Sequence, residues 1–216
     1  MDLEHSVTSA RDVAYAYLRT GLVEGRMRPG EILDDATIAQ EISVSRTPVR
    51  EALIQLEREG MVTAAPRRRP RVAEARPDDL AQIVAPLGAL QALAAQLAAP
   101  YATDDDVEAM RGHNSELLQA VQADDIMRAR LADMAFHRVL VNRAGNRFLT
   151  SGIDSLEMHT SRVVSLYFRN RGPDGQSARE HAEIIQAVLD HDAGAAAKAT
   201  RSNYLRGLSL AGEEDA

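Results

Sequence analysis

Residues 80–103 form a stretch of 24 residues without a charged side chain, and this stretch limits what the chain can fold into. It is long enough to cross a bilayer as a helix. It also contains three glutamines and two prolines, and its large apolar residues recur at near-helical spacing, with the glutamines off that stripe: Ile83, Leu87, Leu90 and Leu97. This pattern favours a helix buried in a helical bundle, and no membrane association is expected.

The composition excludes several classes of protein. The chain of 216 residues has no Cys, so disulfide scaffolds, thiol catalysis and Cys-ligated zinc modules are excluded, and any metal must be bound by His, carboxylate or amide groups. The first ten residues carry Asp2 and Glu4 and lack an apolar run, so they do not form a secretory signal. We therefore expect a cytoplasmic location.

Charge is unevenly distributed along the chain. Residues 43–71 contain seven Arg and three Glu, a local charge of +4, although the whole chain carries −7. Residues 76–216 contain 14 basic and 20 acidic side chains. A basic segment in an acidic chain indicates a local contact with a polyanion such as nucleic acid.

The first 75 residues show the pattern of a winged helix-turn-helix. Apolar spacing predicts helices over residues 7–24, from Asp34 or Asp35 to 42, and from Ser45 to 60, where the Ser45 hydroxyl can cap the third helix. Short apolar strands at 61–64 and 71–73 flank a basic loop. We predict a DNA-binding domain over residues 1–75.

The remainder of the chain reads as an all-α bundle over residues 76–216. Apolar periodicity and turn signals place six helices, near 78–99, 104–123, 124–143, 146–170, 177–190 and 193–210. The predicted fold class is therefore mainly α, with a winged helix-turn-helix followed by a helical bundle.

The third helix carries the residues that suit base reading. A recognition helix enters the major groove by its first turns, where Arg46, Thr47 and Arg50 lie. Each arginine can pair bidentately with a guanine, and Thr47 can reach a phosphate or a thymine methyl. Four arginines of the hairpin are expected to contact phosphates or a minor groove: Arg67, Arg68, Arg69 and Arg71. The alternative is a pair of solvated helix arginines, paired with Glu51 or Glu57.

This segment resembles the GntR family of bacterial transcription regulators. The resemblance covers residues 27–39, 44–53 and 56–62, and its most specific part is the string Ser-Arg-Thr-Pro-Val-Arg-Glu-Ala-Leu at 45–53. It implies that Arg46, Thr47 and Arg50 read an operator. Arg69 stands where the family's wing usually has Gly, and Ala36 stands where some relatives have a further DNA-contacting Arg.

In the bundle, four side chains could converge. Asp133 and His137 are four residues apart, so they share one helix face. If the chain folds back near residue 192, His181 and Asn203 lie nearly opposite each other across an antiparallel helix pair. These residues could form a metal site, and the alternative for Asp133 and His137 is an exposed helical salt bridge.

The bundle resembles the FCD-type (FadR carboxy-terminal) ligand domain of GntR regulators. The shared order is Asp-x-x-x-His, Gly145-Asn146, and Glu180-His181 followed by a final helix. Many such domains bind a divalent metal through one Asp and three His. The resemblance therefore implies zinc or nickel at Asp133, His137 and His181, with Asn203 as a weak fourth ligand where His is usual. Water or an effector carboxylate could complete the shell.

The same resemblance leaves the effector site unidentified. Pro86 and Leu87 stand where relatives often have an arginine near the effector, and Arg130 and Arg162 are possible substitutes. The expected function is a homodimeric regulator that binds a palindromic double-stranded DNA operator and responds to a small organic acid. The alternatives are a metal-dependent hydrolytic enzyme using Asp133, His137 and His181, and an architectural DNA binder with an inert bundle.

Overall fold

The structure is a computed structural model that describes residues 9–65 and 68–212, with side chains described as far as residue 206. Arg67, one of the arginines expected to contact DNA, lies outside the described residues. The chain divides into two compact units. The first comprises the described residues up to 77 together with 161–166, and the second comprises 78–160 and the residues from 167 onward.

Three complete helices lie in the described residues of the first unit: α1 (Ala10–Val23), α2 (Asp35–Glu41) and α3 (Arg46–Arg58). Asp34 caps α2, because its carboxylate accepts from the backbone nitrogens of Ala36 and Thr37. Ser45 precedes α3, but its hydroxyl makes no capping hydrogen bond, so that prediction is wrong. The turn between α2 and α3 depends on Ser43, whose φ of 56° lies in the left-handed region.

A small sheet completes the helix-turn-helix. Strand β1 (Val62–Thr63) pairs antiparallel with β2 (Arg71–Val72), and Ile32 forms an isolated bridge to Arg71 on the other side of β2. The apolar face of α3 is buried at Val49, Leu53 and Leu56, as its spacing predicts. The opposite face of α3 is left available to solvent.

The described residues of the second unit form helices joined by short loops. The helices are α4 (Asp79–Ala98), a 3-10 turn (Ala99–Tyr101), α5 (Asp104–Gln122), α6 (Ile126–Ala144), α7 (Arg147–Tyr167), α8 (Gly175–Leu189) and α9 (Ala193–Gly212). One of these helices, α7, contributes residues 161–166 to the first unit. The predicted bounds differ from these by at most three residues. The mainly α fold class, with a helix-turn-helix unit followed by a helical unit, is confirmed.

The uncharged stretch forms α4 and the 3-10 turn. Among the described residues, Asp79–Tyr101 is the one segment long and apolar enough to cross a membrane, with a mean hydropathy of 1.4. In this fold α4 packs against α6 and α9, and Leu87 and Ala94 belong to an apolar cluster with Val141. The predicted stripe is wrong at its end, because Leu97 is exposed, whereas Gln91, expected off the stripe, is buried. Gly88 allows α9 to approach, because a Cβ there would lie 3.0 Å from the Cβ of Tyr204.

The break between α6 and α7 fixes the end of the helix that carries the Asp-x-x-x-His pair. Gly145 ends α6 with a φ of 61°, a conformation that favours glycine. Asn146 begins α7, since its side-chain oxygen accepts from the backbone nitrogens of Phe148 and Leu149. The Gly-Asn pair therefore acts as a helix stop and a helix start.

Candidate nucleic-acid interface and metal centre

The two arginines of the recognition helix share one acidic partner. Arg46 donates from Nη2 to Oδ1 of Asp35 at 2.8 Å, and Arg50 donates from Nε to Oδ2 of the same carboxylate. The arginine side chains are 56% and 60% exposed, whereas Asp35 is 17% exposed. The ion pairs of these arginines thus go to Asp35 on α2, and not to Glu51 or Glu57 on their own helix.

The electrostatics keep Asp35 ionised. Burial raises the pKa of its carboxyl, but the hydrogen bonds from Arg46 and Arg50 outweigh burial and hold the pKa below its usual value. Both acceptor oxygens are therefore charged at neutral pH. A charged carboxylate makes stronger and more directional hydrogen bonds with guanidinium groups than a neutral acid does.

The arginines of the hairpin have different surroundings. Arg69 is 71% exposed and pairs with Asp34 at 2.9 Å, and Arg68 is also exposed. Arg71 donates to the carbonyl of Gly30 at 2.8 Å, so it supports the fold. A groove of about 490 Å³ runs between α2, α3 and the hairpin, and its lining includes Asp34, Asp35, Arg46, Arg50, Arg68 and Arg69.

The structure brings Asp133, His137 and His181 together within the second unit. Each offers one ligand atom, and these three atoms lie within 4.8 Å of one another. His137 and His181 are buried, with exposures of 1% and 0%. Asp133 therefore does not form the exposed helical salt bridge that its spacing also allows.

Two asparagines orient the histidine rings. Asn114 donates from Nδ2 to the carbonyl of Ala178, so its Oδ1, 3.1 Å from Nδ1 of His181, accepts a hydrogen bond from that nitrogen. Asn203 donates from Nδ2 to Glu180 at 2.9 Å, so its Oδ1 accepts from Nε2 of His137 at 3.1 Å. In each neutral ring, the other nitrogen then carries a lone pair.

Those other ring nitrogens are the atoms that suit a metal. Within the described part of the chain, Nδ1 of His137 and Nε2 of His181 are buried and make no hydrogen bond. Nε2 of His181 lies 3.4 Å from Oδ1 of Asp133, so this ring nitrogen faces a carboxylate oxygen. Two acceptors in this arrangement repel each other unless a proton or a cation lies between them.

The protonation states agree with this arrangement. Burial lowers the pKa of His137 to about 4, although the nearby Asp133 opposes the shift. Burial raises the pKa of Asp133, but contacts with His181, His137 and Arg206 bring it below its usual value. His137 is therefore neutral and Asp133 charged at pH 7, the forms that bind metal ions.

The donor set fits a divalent metal such as zinc or nickel, because it combines two imidazole nitrogens with a carboxylate. Asn203 can contribute in two ways. If His137 keeps its bond to Asn203, it offers Nδ1, and Asn203 orients the ring. If His137 offers Nε2 instead, Oδ1 of Asn203 becomes available as a fourth ligand.

The surroundings of the cluster include residues without a sequence signal. The ring of Phe136 stacks on His181 at 3.7 Å, and the ring of Tyr204 lies 4.7 Å from that of His137. Arg206 pairs with Glu180 at 2.6 Å and so holds the acceptor that orients Asn203. Asn114 belongs to no local motif, because its partner His181 is 67 residues away in sequence.

The two arginines suggested as effector contacts bind main-chain carbonyls. Arg130 donates to the carbonyls of Phe168, at 2.5 Å, and Arg171. Arg162 is buried and donates to the carbonyl of Ala73 within the first unit. These contacts support loops and strands, and they give no indication of a carboxylate site.

Comparison with known proteins gives matches along nearly the whole chain. The FCD domain model matches residues 82–205, and the model for bacterial regulatory proteins of the gntR family matches residues 10–72. An uncharacterized HTH-type transcriptional regulator in an unstable DNA locus of Streptomyces ambofaciens is 28% identical over 202 residues, covering 91% of this chain and 82% of that protein. The HTH-type transcriptional repressor RspR of Escherichia coli (strain K12) is 26% identical over 198 residues, covering 90% and 85%. The structure of E. coli McbR/YncC has a TM-score of 0.80 at 20% identity, covering 95% of this chain and 98% of that one, so the fold is shared.

Proposed function

This chain belongs to the GntR family of bacterial regulators that carry an FCD domain, and on that basis we propose that it is a ligand-responsive regulator that binds a palindromic operator as a homodimer. The family and the matched relatives are transcriptional regulators and not enzymes. The hydrolytic interpretation of the Asp133–His137–His181 cluster is therefore not supported. The regulator works in the cytoplasm, where it meets the chromosome.

One observation supports DNA reading above the others: two exposed arginines on the outer face of α3 are held side by side by one carboxylate. In this proposal Arg46 and Arg50 bind guanine edges in the major groove, and Thr47 contacts a phosphate or a thymine methyl. The hairpin arginines Arg67, Arg68 and Arg69 bind phosphates and add affinity that does not depend on sequence.

The test uses a duplex that the wild-type protein selects from a library of randomised DNA, with a scrambled duplex of the same composition for comparison. Arg46→Ala and Arg50→Ala are each expected to lower the specific binding free energy by about 1–3 kcal/mol. Arg58→Ala is the matched control, since Arg58 is an exposed arginine in the last turn of the same helix. Unchanged affinity for the selected duplex in both variants would exclude this recognition surface.

In the second unit, Asp133, His137 and His181 would hold a divalent metal, and Asn203 would orient His137 or act as the weak fourth ligand. The metal supplies a Lewis-acidic centre that can accept an effector carboxylate. A small organic acid is therefore the proposed effector class. The measurement is release of the selected duplex by candidate acids, and an acid that releases DNA without being chemically changed supports the proposal.

The homodimer follows from the need to read two half-sites with one recognition helix each. The outer face of α4 and the following turn offers an apolar surface, formed by Leu93, Leu97 and Tyr101, which are 41%, 38% and 74% exposed. These residues are four apart, so they form one stripe. We assign this stripe to the dimer contact, because exposed apolar residues grouped on one face favour association with another protein surface, and a homodimer requires such an interface.

A further inference from the structure

We propose that Asp35 is a positioning residue that sets the sequence discrimination of this regulator, because it holds Arg46 and Arg50 in the orientation that reads bases. The inference rests on the proposed function of these two arginines. Asp35 itself need not contact a base, and it acts through the two guanidinium groups that it binds.

The hydrogen-bond pattern leaves the arginines able to read DNA. Arg50 donates to Asp35 through Nε, so both terminal nitrogens keep their hydrogens for a guanine edge. Arg46 donates through Nη2, which has a second hydrogen, and its Nη1 is not used by Asp35. Each arginine can therefore bind Asp35 and a guanine at the same time.

Asp35 is the fixed end of both ion pairs. It is the first residue of α2, which Asp34 caps and which Ile38 and Ala39 anchor in the core. Its side chain is 17% exposed, whereas the arginines are more than half exposed. Arginine side chains have many rotamers, and ordering them on DNA binding costs conformational entropy. A rigid acceptor that already holds them in place reduces this cost.

The negative charge of Asp35 also favours specific over nonspecific DNA binding. Its carboxylate lies in the lining of the groove with Arg46, Arg50 and Arg68. A negative charge near this surface repels phosphates and weakens binding to any duplex. On a matching sequence, base contacts of the prepositioned arginines compensate for the binding free energy lost to this repulsion. On other sequences these base contacts are not made, so binding stays weaker. Both effects raise the ratio of specific to nonspecific affinity.

The matched variants are Asp35→Asn and Asp34→Asn in the full chain. Asp34 is the preceding residue, and it pairs with Arg69 of the hairpin. Asparagine caps a helix about as well as aspartate, so Asp34→Asn removes one carboxylate charge and keeps the cap of α2. Asp35→Ser serves as a second variant, and circular dichroism confirms that each variant is folded.

The readout is the ratio of affinities for the wild-type-selected duplex and the scrambled duplex, measured at several salt concentrations. Asp35→Asn is expected to lower this ratio at least about fivefold, the lower end of what one bidentate base contact provides. Selection repeated with Asp35→Asn is expected to give relaxed preference at the guanine positions. Asp34→Asn should strengthen binding to both duplexes and leave the ratio unchanged.

Two results would overturn the proposal. One is an unchanged ratio in Asp35→Asn and Asp35→Ser, which would make Asp35 a charge without a positioning role. The other is a higher ratio, which would make Asp35 a mask that DNA must displace. The Arg46→Ala/Arg50→Ala double variant separates this inference from the proposed function. If the double variant has the same ratio of specific to nonspecific affinity as wild type, the recognition surface itself is wrong. If the double variant lowers this ratio and Asp35→Asn leaves it unchanged, only the positioning role of Asp35 is wrong.

Discussion

The proposed metal centre makes a quantitative prediction about thermal stability. A metal that binds only the folded chain stabilises it by about 2.7 kcal/mol when its concentration is 100 times the dissociation constant. For a chain of this size, each kcal/mol raises the melting temperature by about 2–4 °C. Nickel or zinc added to chelator-treated protein should therefore raise the melting temperature by about 5–11 °C.

The structure indicates which substitution should remove this shift. His181 is fully buried, and its Nε2 makes no hydrogen bond among the described residues, so a metal gains this ligand without breaking one. Loss of groups that support a ligand weakens metal binding about 10–100-fold, and loss of the ligand should cost at least the upper value. At the same metal concentration, the stabilisation of His181→Ala falls to about 0.4 kcal/mol, or about 1–2 °C.

The assay is thermal unfolding with and without metal, together with elemental analysis of the purified protein. His113→Ala is the control, because it removes an imidazole from the second unit outside the cluster. For each variant we compare the rise in melting temperature that metal causes, because truncation of a buried ring also lowers stability without metal. Equal increments in His181→Ala and wild type would refute the assignment of the site.

Three further predictions concern other parts of the molecule. Arg68→Ala should weaken binding to selected and scrambled duplexes equally. It should also reduce the magnitude of the slope of log K against log salt by about 0.9, because one phosphate contact is lost. An affinity loss confined to the selected duplex would contradict this role. Leu93→Glu should shift the protein from dimer to monomer in light scattering, because it places a charge in the apolar stripe of α4, whereas Leu118→Glu on α5, at a similarly exposed position, should not. His137 should make chelator-treated protein less stable as pH falls. Burial lowers its folded pKa to about 4, while the unfolded chain takes up a proton near 6.5. The contribution of His137 to the free energy of unfolding is therefore complete above pH 6.5. It falls by about 2 kcal/mol at pH 5 and by about 3 kcal/mol near pH 4. Urea unfolding of His137→Gln should show a correspondingly flatter pH dependence, and an identical dependence would exclude this cause.

Local sequence patterns predict the fold well because helices bury regular stripes. Val49, Leu53 and Leu56 mark the buried face of α3, and Gly145-Asn146 marks the boundary between two helices. These features depend on residues within one or two turns, so spacing alone identifies them. The predicted Ser45 cap is an exception. Serine is a suitable residue at a helix start, but the residue type alone does not fix the side-chain rotamer that a capping hydrogen bond requires.

The partners of the site residues are harder to predict. Asp35 is 11 and 15 residues from the arginines that it binds, and the turn between α2 and α3 must form before they meet. Asn114 lies on α5 and reaches His181 only when the helices of the second unit pack. A sequence motif identifies the residues that contact a ligand, but tertiary packing supplies the groups that orient them.

Asn203 provides the sharpest test of the metal centre, because it is where this chain departs from the usual ligand set. Its Nδ2 donates to Glu180, which Arg206 holds in place. In Asn203→His, one ring nitrogen can donate to Glu180 while the other binds the metal, an arrangement common at metal sites.

We therefore expect Asn203→His to bind metal at least about tenfold more tightly than wild type. Tenfold corresponds to about 1.4 kcal/mol, so its metal-dependent rise in melting temperature should exceed that of wild type by about 3–6 °C. Adding Glu180→Gln should reduce this gain, because the amide accepts a weaker hydrogen bond than the carboxylate does. If Asn203→His is folded and its metal-dependent rise in melting temperature is no larger than that of wild type, position 203 supplies no metal ligand, and Asn203 acts only by orienting His137.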